Sequence, residues 1–105
     1  MDMFTPTGVR LERYMDLLAV RQKLTASNIA NADTPGYKTK DIDFRDEFAS
    51  VIEAPGLASK NDGNNVNVDR EARALAENAL RFSIASNLLQ TQIRGIRSAI
   101  QEGGK

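Results

Sequence analysis

Apolar residues recur along the last third of the chain at alternating steps of four and three: Val68, Ala72, Leu75, Ala79, Phe82, Ser86, Leu89, Ile93, Ile96 and Ile100. Only Ser86 is polar, and a mean step of 3.5 residues keeps one stripe of a slightly underwound helix facing a partner helix. At about 1.5 Å per residue this helix is roughly 50 Å long. A rod of that length cannot bury its own stripe and needs a second helix, from this chain or another. Asn67 is placed to cap its start, Asp69 and Glu71 fall in its first turn, Arg94 and Arg97 lie near its end, and Gly103-Gly104 supplies a stop.

The front of the chain offers the partner. Thr5-Pro6 is a helix start, with a hydroxyl to cap a free N–H and proline at the first helical position. The pattern predicts a helix from Pro6 or Val9 to about Ala30, with the stripe Leu11, Met15, Leu18, Gln22, Thr25, Ile29 and Ala32, widened by Leu17, Val20 and Leu24. Its second half is mixed in polarity, so it packs less tightly than the C-terminal stripe. Gln22, Thr25 and Ser86 are candidates for setting register. Leu80, Ile84, Leu88 and Thr91 run along a second side of the last helix, a surplus of apolar surface that one partner helix cannot cover and that points to further subunits.

Between the helices, Ser27-Asn28-Ile29-Ala30-Asn31-Ala32-Asp33-Thr34-Pro35-Gly36-Tyr37-Lys38 reads as a helix end and a tight turn. Asn28 and Asn31 tolerate left-handed backbone and can satisfy open carbonyls, Thr34 before Pro35 is pushed out of the helical region, and Pro35-Gly36 fits the centre of a type II turn. Asp41 to Phe44 alternates polar and apolar residues, which permits a short strand. Arg45 to Glu53 allows one or two helical turns with Phe44, Phe48, Val51 and Ile52 as an apolar patch, ended by Ala54-Pro55-Gly56. Leu57 to Asn67 reads as a mobile polar loop or hairpin tip with turn chemistry at Asp62-Gly63. The expected architecture is all-α: two long terminal helices packed as a coiled-coil hairpin, joined by a short irregular or partly extended middle. The chain divides into an N-terminal helix and turn motif (1–38), a middle segment (39–67) and a C-terminal heptad helix (68–105), forming one structural unit.

Composition narrows the function classes. Fourteen basic residues balance fourteen acidic ones within 105, with no one-sign segment to attract nucleic acid or an anionic membrane. Cysteine and histidine are absent, removing thiolate chemistry and the commonest general base and metal ligand. Asp41 and Asp43, with Asp46 and Glu47 nearby, form an acidic turn but lack the enclosure that tunes a catalytic carboxylate pair. The Asp- and Asn-rich stretch from Asp62 to Glu71 does not match calcium-loop spacing, and no phosphate-binding glycine fingerprint follows. The expectation is a non-enzyme without cofactor or metal, with no nucleic-acid or small-molecule partner. The first thirty residues lack a secretory signal's apolar core, and no run approaches a membrane span.

The string Ser27 to Lys38, with Asp41-Ile42-Asp43-Phe44 after it and a C-terminal heptad helix, resembles the signature of the flagellar rod and hook family, the axial proteins of the bacterial flagellum. The short middle, the Asp-Thr form of the motif and the Lys40 to Phe44 continuation are most similar to its proximal-rod members, although the chain is short even for these. The resemblance implies a structural subunit of the basal-body rod, the drive shaft needed for motility. It implies export through the flagellar apparatus without a cleaved signal, a place in the periplasmic space, and terminal helices that order on helical assembly. Leu11 to Ala32 and Val68 to Ile100 would build the inner tube. The motif residues, Ser27, Asn28, Ile29, Ala30, Asn31, Thr34, Pro35, Gly36 and Tyr37, would fix the exit from the first helix and the contact with neighbours. Implied partners are other copies of the chain, other rod proteins, a rod adaptor, and the membrane ring and export gate. The alternatives are another axial rod or hook subunit, or a cytosolic coiled-coil adaptor in which the Asn-Pro-Gly turn is incidental.

Overall fold

The computed structural model describes residues 5–45 and 49–103. Two helices, α1 (Pro6–Ala30) and α2 (Val68–Gly103), flank two short strands, β1 (Lys40–Asp43) and β2 (Ser50–Glu53). The helices pair as an antiparallel hairpin in a body of 70 × 23 × 17 Å. The terminal helices and their pairing follow the sequence pattern, and the middle segment holds a small sheet.

Each helix start uses the cap that its sequence supplies. Thr5 is extended and its hydroxyl accepts from Gly8 N–H at 3.0 Å, with proline in the first turn. Asn67 Oδ1 accepts from Arg70 N–H at 3.1 Å. At the far end α2 runs through Gly103 and its last turn carries no basic side chain, so the expected dipole contribution of Arg94 and Arg97 falls away.

Strands β1 and β2 pair antiparallel, with Ile42 opposite Val51 and Asp41 opposite Ile52. The alternation that permitted a short strand is thus a strand over Lys40–Asp43, with Phe44 just beyond it. The helical turns considered for Arg45 to Glu53 do not form at its end: Ser50 to Glu53 brings two adjacent β-branched residues to pair with β1. Phe48, Asp46 and Glu47 lie outside the described residues. β1 rests on α1, from Lys40 at Asn28, through an Arg21–Asp41 ion pair, to Phe44, whose ring meets Tyr14 edge-on at 6.2 Å.

Buried apolar side chains are few and mostly small: Leu18, Ile42, Ala54, Val66, Ala74 and Ala85. Buried polar ones rival them in number, among them Thr25, Asn28, Thr39, Asn64, Glu71 and Asn78. So small a core leaves hydrogen bonds to specify how the parts fit.

Candidate functional site: the motif junction and the helix flanks

Asn28 sits in the last turns of α1 with its side chain wholly buried. Ala54 N–H donates to Thr39 O at 2.8 Å just ahead of β1, with Thr39 N–H turned to Asn65 instead, so Thr39 faces Ala54 in the bonded phase of the ladder. Alternation then turns the N–H and C=O of Lys40 away from β2. Asn28 meets both: Lys40 N–H donates to its Oδ1 at 3.1 Å, and its Nδ2 donates to Lys40 O at 2.8 Å. A carboxamide thus completes the outer edge of β1 as a further strand would. The same Oδ1 accepts from Tyr37 OH at 3.0 Å, and the same Nδ2 reaches Glu71 Oε2 at 3.2 Å, across 43 residues of sequence.

Glu71 is fully buried at the start of α2, where the sequence suggested only a favourable charge near a helix end. Its other oxygen accepts from Arg70 Nη1 at 2.7 Å. Arg70 Nη2 continues to Asp41 Oδ2 at 2.7 Å, and Asp41 Oδ1 accepts from Arg21 Nε at 3.0 Å and from Ile42 N–H at 2.7 Å. A chain of alternating charge therefore ties α1, β1 and α2 together. Burial pushes the Asp41 carboxyl upward, but Arg21, the Ile42 N–H and Arg70 outweigh it and hold the group below the usual carboxylate range. Burial acts against the charge of Arg70, but Asp41 and Glu71 prevail and raise it. Asp43 is engaged separately by the Arg45 side chain and N–H, which lower it to about 2. Asp41 and Asp43 are ligands of arginines, and among the described residues no acidic cluster could hold a metal ion.

The rest of the motif builds the turn. Asn31 Nδ2 donates to Ser27 O at 2.8 Å, adding a second bond to the carbonyl that already accepts from its own N–H, and its Oδ1 accepts from Thr34 Oγ1 at 3.0 Å. Asn31 does this at φ −103°, and no described non-glycine residue has positive φ, so left-handed asparagines are not needed. Tyr37 N–H donates to Thr34 O at 3.2 Å across Pro35-Gly36, and Gly36 takes φ +74°, as a type II turn requires. Ile29 is half-buried beside the junction, while Ser27 and Ala30 face outward, with Ser27 Oγ 3.4 Å from Tyr37 OH.

The polar loop before α2 folds back onto this turn. Asn64 Nδ2 donates to both Asn31 O (2.9 Å) and Thr34 O (2.8 Å), and its Oδ1 accepts from Val66 N–H. Asn65 Oδ1 accepts from Thr39 N–H at 2.6 Å, and Gly36 N–H donates to Asp62 O at 2.9 Å. Asn64, Asn65 and Glu71 at the junction, and Asn78 further along α2, are residues that sequence reasoning missed. The one available signal was the density of asparagine in a segment next to an Asn-rich motif.

The helix contact itself departs from the heptad stripe. On α1, Leu18 is fully buried and Leu11 and Met15 are half-buried, as the pattern expects. On α2 the buried line is Glu71, Ala74, Asn78 and Ala85. Asn78 Nδ2 donates to Leu18 O at 2.8 Å and Gln22 Oε1 at 3.2 Å, while its buried Oδ1 has no hydrogen-bond partner. Val68, Ala72, Ala79 and Phe82 lie on an exposed flank, with Phe82 41% exposed. Further along, Leu89, Ile93 and Ile96 come half under cover, as Leu75 does, and Ile100 is exposed again. Leu80, Ile84 and Leu88 form a second exposed flank at 62%, 51% and 52%.

Comparison with known proteins places this arrangement. A family model described as flagella basal body rod protein matches residues 15–38, the second half of α1 and the whole turn motif. The flagellar basal body rod protein FlgB of Salmonella typhimurium is 32% identical, covering 85% of this chain and 88% of its own length. That of Escherichia coli K12 has the same identity and coverage, and that of Bacillus subtilis is 25% identical over the full length of both. The Salmonella alignment spans 122 positions, more than the 105 residues of this chain, so the relative carries residues that this chain lacks.

Proposed function

The chain belongs to the flagellar basal body rod protein family, and on that premise we propose that it is a structural subunit of the proximal rod, polymerising through its two terminal helices. The observation that carries this reading is the division of labour within the fold. Residues 15–38, which the family model matches, supply the junction that fixes the exit of α1 against β1 and the start of α2. The long helices it joins keep two apolar flanks open, a surface larger than a free subunit needs.

Asn28, Asn31, Pro35, Gly36 and Tyr37 act in this account by setting the angle at which the helix pair leaves the hairpin. Leu11, Met15, Leu18 and Ile29 serve the intrachain face, with Leu75, Leu89, Ile93 and Ile96 at its margin. Val68, Ala72, Ala79, Phe82 and Ile100 are available to neighbours. The partners are other copies of the chain and other rod proteins, with the adaptor, membrane ring and export gate below. Its place is the periplasmic rod, reached without a cleaved signal, and it has no catalytic role. Among the described residues no helix is long and apolar enough to cross a membrane.

An in-frame deletion tests the proposal, scored by electron microscopy of the cell envelope and by swimming. The expected result is a retained membrane ring without rod, hook or filament. Intact, motile flagella would refute it and leave the helices to an unrelated coiled-coil partner.

A further inference from the structure

The two exposed flanks of α2 differ in shape. On one side, Leu18 and Ala19 of α1 and Ala79 and Phe82 of α2 line a groove of about 450 Å³ between the helices, with Gln22 and Lys23 at its end. The buried Asn78 also lines it, Ala19 and Ala79 are its small residues, and it is open to solvent. On the opposite side, Leu80, Ile84 and Leu88, each four residues after the last, project as a ridge of large aliphatic side chains. Rows at i, i+4 are the ridges that pack into grooves of neighbouring helices. One chain therefore carries both halves of a complementary contact, on opposite faces.

Charge agrees with shape. The contacts Thr5–Gln92, Tyr14–Arg81 and Arg21–Glu77 set the level of the antiparallel helices. Helical periodicity puts Glu12 and Asp16, one heptad before Ala19 and Lys23, on the groove flank beside the Phe82 end. Arg10, one heptad before Leu17, and Arg13 fall towards the other flank, beside Ile84 and Leu88. All four are exposed. Reading towards the hairpin, the groove flank carries Glu12, Asp16 and then Lys23, while the ridge flank carries Arg10, Arg13 and then Glu77. Two copies side by side in the same orientation bring Glu12 and Asp16 of one towards Arg10 and Arg13 of the next, while nearer the hairpin the exposed Arg73, one heptad before Leu80, stands with Glu77 on the ridge flank near the level of Lys23.

We propose that neighbouring copies of this chain dock laterally, the Leu80–Ile84–Leu88 ridge of one seated in the Leu18–Ala19–Ala79–Phe82 groove of the next. This rests on the rod reading and adds to it the occupant and polarity of the contact. Because donor and acceptor faces differ, the contact is heterologous and propagates without self-closing as a dimer.

The chain has no cysteine, so paired cysteines report the contact cleanly. Ala79→Cys and Ile84→Cys, both at exposed positions, are introduced singly and together into a strain lacking its own copy. Swimming is scored first, and basal bodies are then purified and oxidised. The expected result is a ladder of disulfide-linked copies from the double variant and none from either single variant. Dimers from a single variant would show an isologous contact and overturn the proposal. No cross-link in swimming cells would also overturn it, showing that something else covers the groove, while the rod reading stands. Chains that leave the strain without rods even when unmodified would sink both. A second arm reads the charges: Glu12→Lys with Asp16→Lys should cut swimming at least tenfold, and adding Arg10→Glu with Arg13→Glu should restore it. Reversal without rescue would count against the charge pairing.

Discussion

Replacing Asn28 by alanine would leave the N–H and C=O of Lys40 and an oxygen of Glu71 without their present partner in a buried site. Each buried polar group left unpaired costs about 1–3 kcal/mol, so Asn28→Ala should destabilise the free chain by about 3 kcal/mol, read from urea denaturation. Gly36→Ala isolates a different term. A Cβ at Gly36 meets nothing within 4 Å, so the cost is that of holding φ +74° with an L side chain, about 1–2 kcal/mol in the same assay. Asp41 sets the acid limb of stability. Its folded value lies below the usual carboxylate value, so its contribution is complete above about pH 4 and is lost as pH falls through the folded value. Stability should therefore decline in acid, and Asp41→Asn should flatten that decline; an unchanged acid limb would show that the Arg21–Asp41–Arg70 bridge is not what acid breaks. The motif was legible as a helix stop, because Asn31, Pro35 and Gly36 act within a few residues of themselves. The role of Asn28 was not, since its partners Lys40 and Glu71 are set by tertiary placement. Glu71 is the sharper case: a carboxylate near a helix start suits solvent equally well, and only Arg70 and Asn28 make its burial tolerable.

At the level of elements, both helices and their caps were readable from Thr5-Pro6, Asn67 and the apolar periodicity. The exact facing of α2 was not, for a geometric reason. A heptad stripe drifts by about 20° per heptad on an unsupercoiled helix. Val68, Ala72 and Ala79 accordingly stand on a flank, whereas Leu89, Ile93 and Ile96 rotate towards cover. The residues one position earlier, Glu71, Ala74, Asn78 and Ala85, make the contact, and two of them are polar. The hairpin was half visible: alternation marked β1, but β2 is too short for periodicity to separate strand from helical turn. Gly95 lies inside α2, and a methyl group there would meet nothing within 4 Å. Gly95→Ala should stabilise α2 by about 1 kcal/mol, seen as slower amide exchange in its C-terminal half.

For the whole molecule, the contrast between inner and outer apolar residues separates folding from assembly. Leu18→Ala removes a fully buried side chain and should cost about 3 kcal/mol in the free chain, with assembly impaired as a consequence. Ile84→Asp acts at a side chain already 51% exposed. It should leave denaturation of the free chain within about 0.5 kcal/mol of the parent and still prevent rod formation. The balanced net charge fits the lateral contact proposed above, in which Glu12 and Asp16 of one copy face Arg10 and Arg13 of the next. The measurement that bears most directly on the central claim is a reconstruction, by electron cryomicroscopy, of basal bodies purified from cells carrying this chain. The account predicts the α1–α2 pair within the rod, the junction intact, and both flanks of α2 covered by neighbouring subunits. A rod built without this chain, or subunits whose Leu80–Ile84–Leu88 and Ala79–Phe82 flanks both face solvent, would contradict it.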